Sequence, residues 1–295
     1  MKIIRAEYLG MCFGVRDAIA LATKQSQSQP LTILGDLVHN ETVLETLRAN
    51  GVTITNQVGS VKTTAVMVTA HGASEKALAG LRARGLEVSQ ATCPLVHVAH
   101  RAVTRLVREG YHPVIIGKRD HVEVRGLTED LDDFDVVLSE GDVRELREHS
   151  KFGIAAQTTQ PIERVSELVT LIQSRFPASE VRFIDTVCQP TKQRQQAAVD
   201  LARQCQVVIV IGGAHSNNTH ELVKTCSYFC HRVHHVQTAH DLKVEWFRAE
   251  DIIGITAGTS TPDQVIDEVE RHLRELEIVA SAFVGTARTE ELQEM

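Results

Sequence analysis

The stretch Val207-Val-Ile-Val-Ile211-Gly-Gly-Ala-His-Ser216-Asn-Asn-Thr219 contains the pattern that decides the fold. Five β-branched residues, Val207–Ile211, predict a strand that is buried on both faces. Two glycines then end the strand, and the polar residues from Ser216 predict the start of a helix. We therefore expect a strand, a turn and a helix in immediate succession.

The same succession recurs along the whole chain, which predicts an α/β fold of parallel sheets covered by helices. Residues 1–7 predict an opening strand. Further strands are predicted at Leu31–Leu34, Ala65–Thr69, Val114–Ile116, Gly153–Ala156, Val181–Ile184, Val207–Ile211 and Ile252–Thr256. Helices are predicted at Val15–Lys24, Glu41–Ala49, Glu75–Ala83, Val96–Arg108, Ile162–Arg175, Lys192–Gln204, Thr219–Tyr228 and Pro262–Leu276.

Composition limits the classes of function. The 295 residues permit two or three domains, and hydrophobic residues at 43% with charged residues at 23% are typical of a soluble globular protein. No apolar run approaches the roughly 18 residues of a membrane span, so we expect no membrane role. The opening strand lacks the regions of a signal peptide, which favours a cytoplasmic location. A net charge of -7 with scattered Lys and Arg argues against a nucleic-acid surface.

Three of the six cysteines, Cys12, Cys93 and Cys188, each lie just ahead of a predicted helix. This shared position suggests three related α/β units. In reducing cytosol such cysteines are better interpreted as ligands, nucleophiles or buried apolar residues than as disulfides. A helix N-terminus lowers the pKa of a thiol, and three thiolates can hold three irons of a cubane while the fourth iron stays open. We interpret the three as ligands of an iron-sulfur cluster.

A second group offers a competing metal site. Cys226 and Cys230, with His231, His234 and His235, are zinc-compatible ligand types in one short segment. The alternative is that Cys226 faces the core from a helix while the histidines lie on a solvated loop or an edge strand.

Several loops suggest recognition of an anion, because the free backbone N–H groups at a helix start attract phosphate. Any one of them alone would be an ordinary helix cap. Together with His39 and His71 in comparable loops, they favour an anionic ligand. The loops are Thr158-Thr159 ahead of Pro161, Ser216–Thr219, and Ser260-Thr261 ahead of Pro262.

His121 and Glu123 are two residues apart in a predicted loop. In an extended segment their side chains share a face, so that an imidazole and a carboxylate can move protons together.

From Ile3 to about Val269, these motifs in combination resemble the LytB/IspH family of 4-hydroxy-3-methylbut-2-enyl diphosphate reductases. The segments that resemble family motifs are Gly10–Val15, Val38–Asn40, Ala70–Gly72, Ala91–Val96, His121–Val124, Gln157–Thr159, Asp185–Cys188, Ser216–Thr219 and Ala257–Asp263. The resemblance implies a trefoil of three pseudo-equivalent α/β domains around a central cluster. The expected ranges are 13–93, 94–186, and 1–12 with 187–281, followed by a tail at 282–295.

The resemblance also implies the activity. Reductive dehydroxylation of 4-hydroxy-3-methylbut-2-enyl diphosphate would give isopentenyl and dimethylallyl diphosphates, the last step of the methylerythritol phosphate route to isoprenoids. One 4Fe-4S cluster per chain would be held by Cys12, Cys93 and Cys188, with its fourth iron open. A ferredoxin or flavodoxin would supply electrons, and the protein would be a monomer or a homodimer.

Roles for individual residues follow from the same resemblance. Glu123, Thr158 and His121 would be catalytic. Because the loop Gly212–Glu221 contains no Lys or Arg, His39 and His71 would supply most of the positive charge that faces the diphosphate. The expected substrate-binding residues are His39, His71, His121, Thr158, Ser216, Asn217, Asn218 and Ser260.

Some positions depart from the family pattern. Asp120 replaces the usual Gly, Val122 replaces Pro, and the pair Ala214-His215 replaces Lys-Asn. Asn217 replaces Ser or Gly, and Glu221 replaces Arg. These changes leave open a cluster-binding paralogue with a redox or iron-sulfur sensing role or a different substrate. A zinc hydrolase would fit the histidines but not the three helix-leading cysteines. The roles of Cys205, Cys226 and Cys230 stay open.

Overall fold

The computed structural model describes residues 1–276, and within this range the strands form three separate four-stranded sheets with parallel pairing throughout. The predicted α/β class is confirmed. The strands are β1 (Lys2–Arg5), β2 (Leu31–Leu34), β3 (Thr53–Thr55), β4 (Ala65–Val68), β5 (Glu87–Gln90), β6 (His112–Ile116), β7 (Asp135–Val137), β8 (Lys151–Ala156), β9 (Glu180–Phe183), β10 (Val207–Ile211), β11 (Val233–Val236) and β12 (Ile252–Ala257).

Helices cover the sheets and connect successive strands. They are α1 (Phe13–Ser26), α2 (Glu41–Ala49), α3 (Glu75–Ala83), α4 (Pro94–Arg108), α5 (Val122–Thr128), α6 (Glu140–Glu145), α7 (Ile162–Arg175), α8 (Gln189–Ala202), α9 (Asn217–Ser227) and α10, described over 263–276. No helix within residues 1–276 is both long and apolar enough to span a membrane.

The three sheets repeat one strand order. The first sheet runs β3-β2-β4-β5, the second β7-β6-β8-β9, and the third β11-β10-β12-β1. In each sheet the order reverses between two central strands, namely β2 and β4, β6 and β8, or β10 and β12. Ligands of open α/β sheets bind beyond the carboxyl ends of strands at such a reversal. The repeated order supports the interpretation of three related units.

The chain divides into two compact units, one formed by residues 12–192 and the other by 1–11 with 193 onward. The first and second sheets belong to the former unit, and the third sheet to the latter. The strands of each sheet fall inside one of the three predicted domain ranges. The exact domain boundaries stay a prediction, and the predicted tail at 282–295 lies outside the described residues.

The central strands form the cores, and their residues explain why the fold was predictable there. All five residues of β10 are completely buried, in agreement with its unbroken β-branched run. In β8, a Cβ on Gly153 would lie 2.9 Å from the Cβ of Leu106, so the glycine allows α4 to pack closely on the second sheet.

The sequence did not predict β3, β5, β7 and β11, all of which are edge strands of three or four residues. Their side chains are mostly polar or partly exposed, so the apolar runs that mark buried strands are missing. The short helices α5 and α6 also went unpredicted, since neither is long enough to show a helical period.

Candidate functional site

The predicted site residues follow the strands at which each sheet reverses its order. His39 follows β2 and His71 follows β4, while His121 follows β6 and Thr158 follows β8. In the third sheet, Ser216 follows β10 and Ser260 follows β12.

Each predicted ligand cysteine follows the fourth strand of a sheet and leads into a helix. Cys12 follows β1 at the N-cap position of α1, and Cys93 follows β5 at the N-cap position of α4. Cys188 follows β9 directly ahead of α8. The predicted position before a helix is confirmed for all three.

Within the unit 12–192, three histidines meet. The ring centroids of His39 and His71 are 4.3 Å apart in a stacked pair. The His121 ring stands edge-on to both, at 5.3 Å from His39 and 5.5 Å from His71. One ring nitrogen from each residue lies within 4.8 Å of the others. Three imidazoles so placed can direct several N–H donors at one anion.

Burial controls the protonation of this histidine group. Burial, followed by the charges of His39 and His121, lowers the pKa of His71 well below its ordinary value. Burial, His39 and Lys118 likewise lower the pKa of His121 to about 3. Both rings are therefore neutral at pH 7 in the ligand-free protein. The positive charge that His71 would offer to a bound diphosphate stays a prediction. Buried imidazoles crowded together resist protonation.

His121 and Glu123 do not lie in a loop, so that prediction is wrong. His121 caps α5, and its Nδ1 accepts a hydrogen bond from the backbone N–H of Glu123 at 3.1 Å. Glu123 thus stands in the first helical turn, with only 1% of its surface exposed. The sequence misled because α5 has seven residues and its cap is a histidine rather than Ser, Thr, Asp or Asn.

The Glu123 carboxyl has a strongly perturbed pKa. Its carboxylate accepts hydrogen bonds from the Thr158 backbone N–H at 2.6 Å and from the Thr158 hydroxyl at 3.0 Å. Burial raises the pKa of Glu123 to about 7, although both bonds from Thr158 act in the opposite direction. A carboxyl with this pKa can both hold and release a proton near neutral pH.

Thr158 connects this acid to Cys188. The Cys188 backbone N–H donates to the Thr158 carbonyl at 3.0 Å, and the Cys188 sulfur lies 3.0 Å from the Thr191 hydroxyl. Burial raises the pKa of the Cys188 thiol to about 11, Thr191 lowers it, and the negative charges of Glu123 and Cys12 raise it further. The charges of Glu123 and Cys12 are therefore close enough to act on the Cys188 thiol.

Cys93 lies beside the start of α1. Its backbone N–H donates to the Ala70 carbonyl at 3.0 Å, which ties it to the loop of His71. A Cβ on Gly14, two residues after Cys12, would lie 2.4 Å from the Cys93 sulfur. Only glycine at position 14 leaves room for that sulfur.

Burial raises the pKa of the Cys93 thiol more than the N–H groups of Leu95 and Val96 lower it. The N–H groups at the helix N-terminus thus lower the pKa of Cys93 and Cys188 as expected, but burial outweighs this contribution in both thiols. Their thiols need a stronger partner than the helix to ionise, such as a bound metal.

The three cysteines suit a cluster better than a single ion. All three are free thiols. Within residues 1–276, no group of side chains close enough to share one metal ion includes a cysteine. In a cubane each thiolate binds a different iron, so the sulfurs stand farther apart than the ligands of one zinc ion.

The second unit presents buried donors at the loops after β10 and β12. Ser216 caps α9 by accepting from the Thr219 N–H at 3.3 Å. Asn218 accepts from the Thr259 N–H at 3.0 Å, while its buried Nδ2 donor has no hydrogen-bond partner among residues 1–276. A buried amide donor without a partner is costly unless a ligand satisfies it. Ser260, the residue after Thr259, is buried. Asn217, the first residue of α9, is half-buried.

The competing zinc group does not assemble. Cys226 is fully buried, its thiol points to the Ala198 carbonyl at 3.9 Å, and burial raises its pKa to about 12. His234 stacks on Trp246 at 4.0 Å, and His235 Nε2 bonds the Gly212 carbonyl at 2.8 Å. The structure agrees with the alternative in which Cys226 faces the core.

The sequence did not single out Gly14, Gln157 or Thr191. Gln157 is fully buried, and its side chain accepts from the Lys118 N–H at 3.0 Å and donates to the Thr159 hydroxyl at 3.2 Å. Thr191, three residues after Cys188, could have been found from helical spacing, because residues three apart share a helix face.

The fold and site define a class of three-sheet parallel α/β proteins with helix-leading thiols beside a buried carboxyl and a histidine triad. The chain belongs to the LytB protein family, which it matches over residues 3–274. The resemblance stated from the motifs is thereby confirmed.

Relatives named 4-hydroxy-3-methylbut-2-enyl diphosphate reductase match nearly end to end. The protein of Aquifex aeolicus is 37% identical over 283 residues, which cover 94% of this chain and 97% of that protein. The protein of Geobacter sp. (strain M21) is 39% identical over 273 residues, covering 91% and 95%.

Two solved structures share the fold. The structure of (E)-4-hydroxy-3-methyl-but-2-enyl diphosphate reductase, described as the terminal enzyme of the non-mevalonate pathway, is 37% identical, with a TM-score of 0.68 over 93% of this chain and 99% of that chain. The structure of E-1-hydroxy-2-methyl-but-2-enyl-4-diphosphate reductase from Plasmodium falciparum is 26% identical, with a TM-score of 0.85 over 92% and 87%.

Proposed function

We propose that the protein reduces 4-hydroxy-3-methylbut-2-enyl diphosphate to isopentenyl and dimethylallyl diphosphates, the last step of the methylerythritol phosphate pathway. The observation that supports this most directly is the buried Glu123 carboxyl, with a pKa of about 7, joined through Thr158 to Cys188. The near end-to-end match to relatives named for this reaction gives the substrate.

The proposed cofactor is one 4Fe-4S cluster held by Cys12, Cys93 and Cys188. When bound, the cluster would supply the electrons for the reduction and a Lewis acid for the departing hydroxyl. The residues fit this group because three free thiols lead three helices, Gly14 leaves space at Cys93, and Thr191 lies in hydrogen-bond range of Cys188.

The reaction consumes two electrons and two protons, breaks the carbon–oxygen bond and releases water. Glu123 holds a proton near pH 7 and donates it toward the departing hydroxyl, while Thr158 fixes the carboxyl orientation. His121 caps the helix that presents Glu123 and so sets the position of the acid.

By the family resemblance, we assign two separate groups of donors to phosphate recognition. His39, His71 and His121 form one group, and imidazole N–H donors suit phosphate oxygens. The other group supplies the Asn218 amide and the N-terminal N–H groups of α9. Its members are Ser216, Asn217, Asn218 and Ser260.

We further infer a ferredoxin or flavodoxin as electron donor, a cytoplasmic location, and a monomer or homodimer. The assignment of the electron donor rests on the reaction class, since an iron-sulfur cluster takes up single electrons from a carrier protein.

The deciding experiment uses protein purified without oxygen. Absorption and Mössbauer spectra should show a cubane with one iron distinct from the other three. Chemically reduced protein should turn over 4-hydroxy-3-methylbut-2-enyl diphosphate and scarcely touch the free alcohol, because the diphosphate anchors the hydroxyl. An intact cluster with neither turnover nor a substrate-induced spectral change would refute the reductase assignment and favour a sensing paralogue.

A further inference from the structure

A second cluster of side chains lies at the opposite end of the second sheet from His121 and Thr158. His112 is the first residue of β6, Asp135 is the first residue of β7, and His149 lies two residues before β8. Because the strands are parallel, these positions share the amino-terminal edge of the sheet. The proposed reaction does not use this edge.

The cluster places two imidazoles and a carboxylate together. His112 Nε2 lies 2.9 Å from the Asp135 Oδ2 atom. The His149 ring stacks on the His112 ring with centroids 3.7 Å apart. One nitrogen or oxygen from each of the three side chains lies within 4.8 Å of the others. Ligand atoms at these separations can coordinate one metal ion.

One nitrogen of the His149 ring is buried without a hydrogen-bond partner in the described part of the chain. Its Nε2 atom is completely buried and has no hydrogen-bond partner among residues 1–276. Burying a polar atom without a partner costs about 1–3 kcal/mol, and the stacked contact with His112 satisfies no nitrogen. A purely structural ring at this position would be better served by an apolar side chain.

We propose that His112, Asp135 and His149 bind a divalent transition-metal ion of the zinc type. Two imidazoles with one carboxylate are the donor set that suits Zn²⁺, and a fourth position is left for water. Neither the cysteines nor the three histidines of the proposed diphosphate site take part.

A second carboxylate supports the assignment. Asp133 Oδ2 lies 3.6 Å from Nδ1 of His112, the ring nitrogen that faces away from Asp135. Metal-bound histidines usually have such a carboxylate beside their other nitrogen, which fixes the ring and increases its basicity. Asp133 is therefore a positioning residue.

Binding requires a small movement of one ring. The planes of His112 and His149 are 9° from parallel, so their in-plane lone pairs do not converge on one point. The His149 ring must turn about its side-chain bonds to direct a nitrogen at the ion. Its backbone stays in place, because the Ser179 hydroxyl donates to the His149 carbonyl at 2.6 Å. Loss of the ring stack on metal binding is thus part of the proposal.

The test uses Zn²⁺ itself with the cluster-loaded protein. Bound zinc is counted by elemental analysis after gel filtration, and affinity is measured by calorimetry. His149→Phe is the matched variant, since a phenyl ring keeps the packing against His112 and Phe152 but has no nitrogen. All proteins carry His71→Ala, which disrupts the other group of histidines within residues 1–276 that could hold an ion.

We expect the parent to bind one zinc ion that His149→Phe and Asp135→Asn lose, while His231→Ala, at an exposed histidine, retains it. Asp133→Asn should weaken binding about 10–100-fold. Zinc should also raise the melting temperature of the parent and leave that of His149→Phe unchanged. Equal zinc in the parent and His149→Phe, or none in either, would overturn the proposal.

Discussion

The Glu123 carboxylate accepts two hydrogen bonds from Thr158, one from the backbone N–H at 2.6 Å and one from the hydroxyl at 3.0 Å. These two residues follow different strands of the second sheet, β6 and β8, at the point where its order reverses. The Thr158 carbonyl also accepts a hydrogen bond from the backbone N–H of Cys188. Thr158 therefore contacts both Glu123 and one of the proposed cluster ligands. In the proposed mechanism, proton delivery from Glu123 would lie beside electron delivery from a cluster on Cys188.

Glu123→Gln tests proton delivery. Glutamine keeps the size and can still accept from Thr158, but it has no carboxyl proton to give. Turnover should fall by about 100-fold or more, while substrate still changes the spectrum of the oxidised protein. Steady-state assays with a chemical reductant measure the first quantity and a spectral titration the second. Near-normal turnover would remove Glu123 from the mechanism.

The pH profile should report the same carboxyl. Because burial raises the pKa of Glu123 from 4.5 to about 7, the proton needed for turnover is present below pH 7 and is lost above it. Turnover by the wild type should therefore fall as pH rises through about 7, and Glu123→Gln should lose this limb. A profile that is flat from pH 6 to 8 would contradict the assignment.

The stability of the protein should share this dependence. Between pH 4.5 and about 7 the folded state holds a proton on Glu123 that the unfolded chain releases. The contribution of this group is thus complete below pH 4.5 and disappears as pH rises through about 7. Glu123→Gln should flatten that part of the curve of unfolding free energy, measured by denaturant titration at each pH.

The sequence predicted the parts of this molecule that depend on local pattern. The apolar runs of β10 and β8 and the loops around Ser216 and His71 follow from β-branched residues and turn chemistry. The helix position of Cys93 was equally readable, because Pro94 marks a first turn.

What the sequence did not predict depends on burial and on neighbours distant in the chain. Burial, followed by the charges of two other histidines, lowers the pKa of His71, and burial raises the pKa of Glu123. No short segment of the sequence reveals either enclosure. The need for glycine at position 14 comes from Cys93, which is more than a quarter of the chain away in sequence.

Cluster assembly should depend on three thiols and no others. Cys12→Ser, Cys93→Ser and Cys188→Ser should each remove the brown colour and most of the iron, because two thiolates hold a cubane poorly. Cys226→Ser should keep both, since this residue is buried among Ala198, Leu222 and other apolar side chains. Iron content per chain and visible absorption give the answer, and equal iron loss from Cys226→Ser would contradict it.

Gly14→Ala should also damage the cluster site without touching a ligand. The added methyl would lie 2.4 Å from the Cys93 sulfur, well inside van der Waals contact, so either α1 or Cys93 must shift. We expect a marked loss of iron. Gly80→Ala is the matched control, because Gly80 is also helical and a Cβ there meets nothing within 4 Å. It should keep its iron and gain up to about 1 kcal/mol of stability. Full iron occupancy in Gly14→Ala would show that the site tolerates the shift.

Diphosphate binding should draw protons onto the histidine group. In the free protein the pKa values of His71 and His121 lie well below neutrality, since burial and neighbouring histidines oppose their charge. A bound diphosphate supplies negative charge that reverses this balance and raises both pKa values. Calorimetric titration with inorganic diphosphate at pH 7, in two buffers of different ionisation enthalpy, should reveal net proton uptake. His71→Gln should reduce that uptake, whereas His231→Gln, at an exposed residue of the other unit, should not. Tight binding with no uptake would mean that neutral N–H donors alone hold the anion.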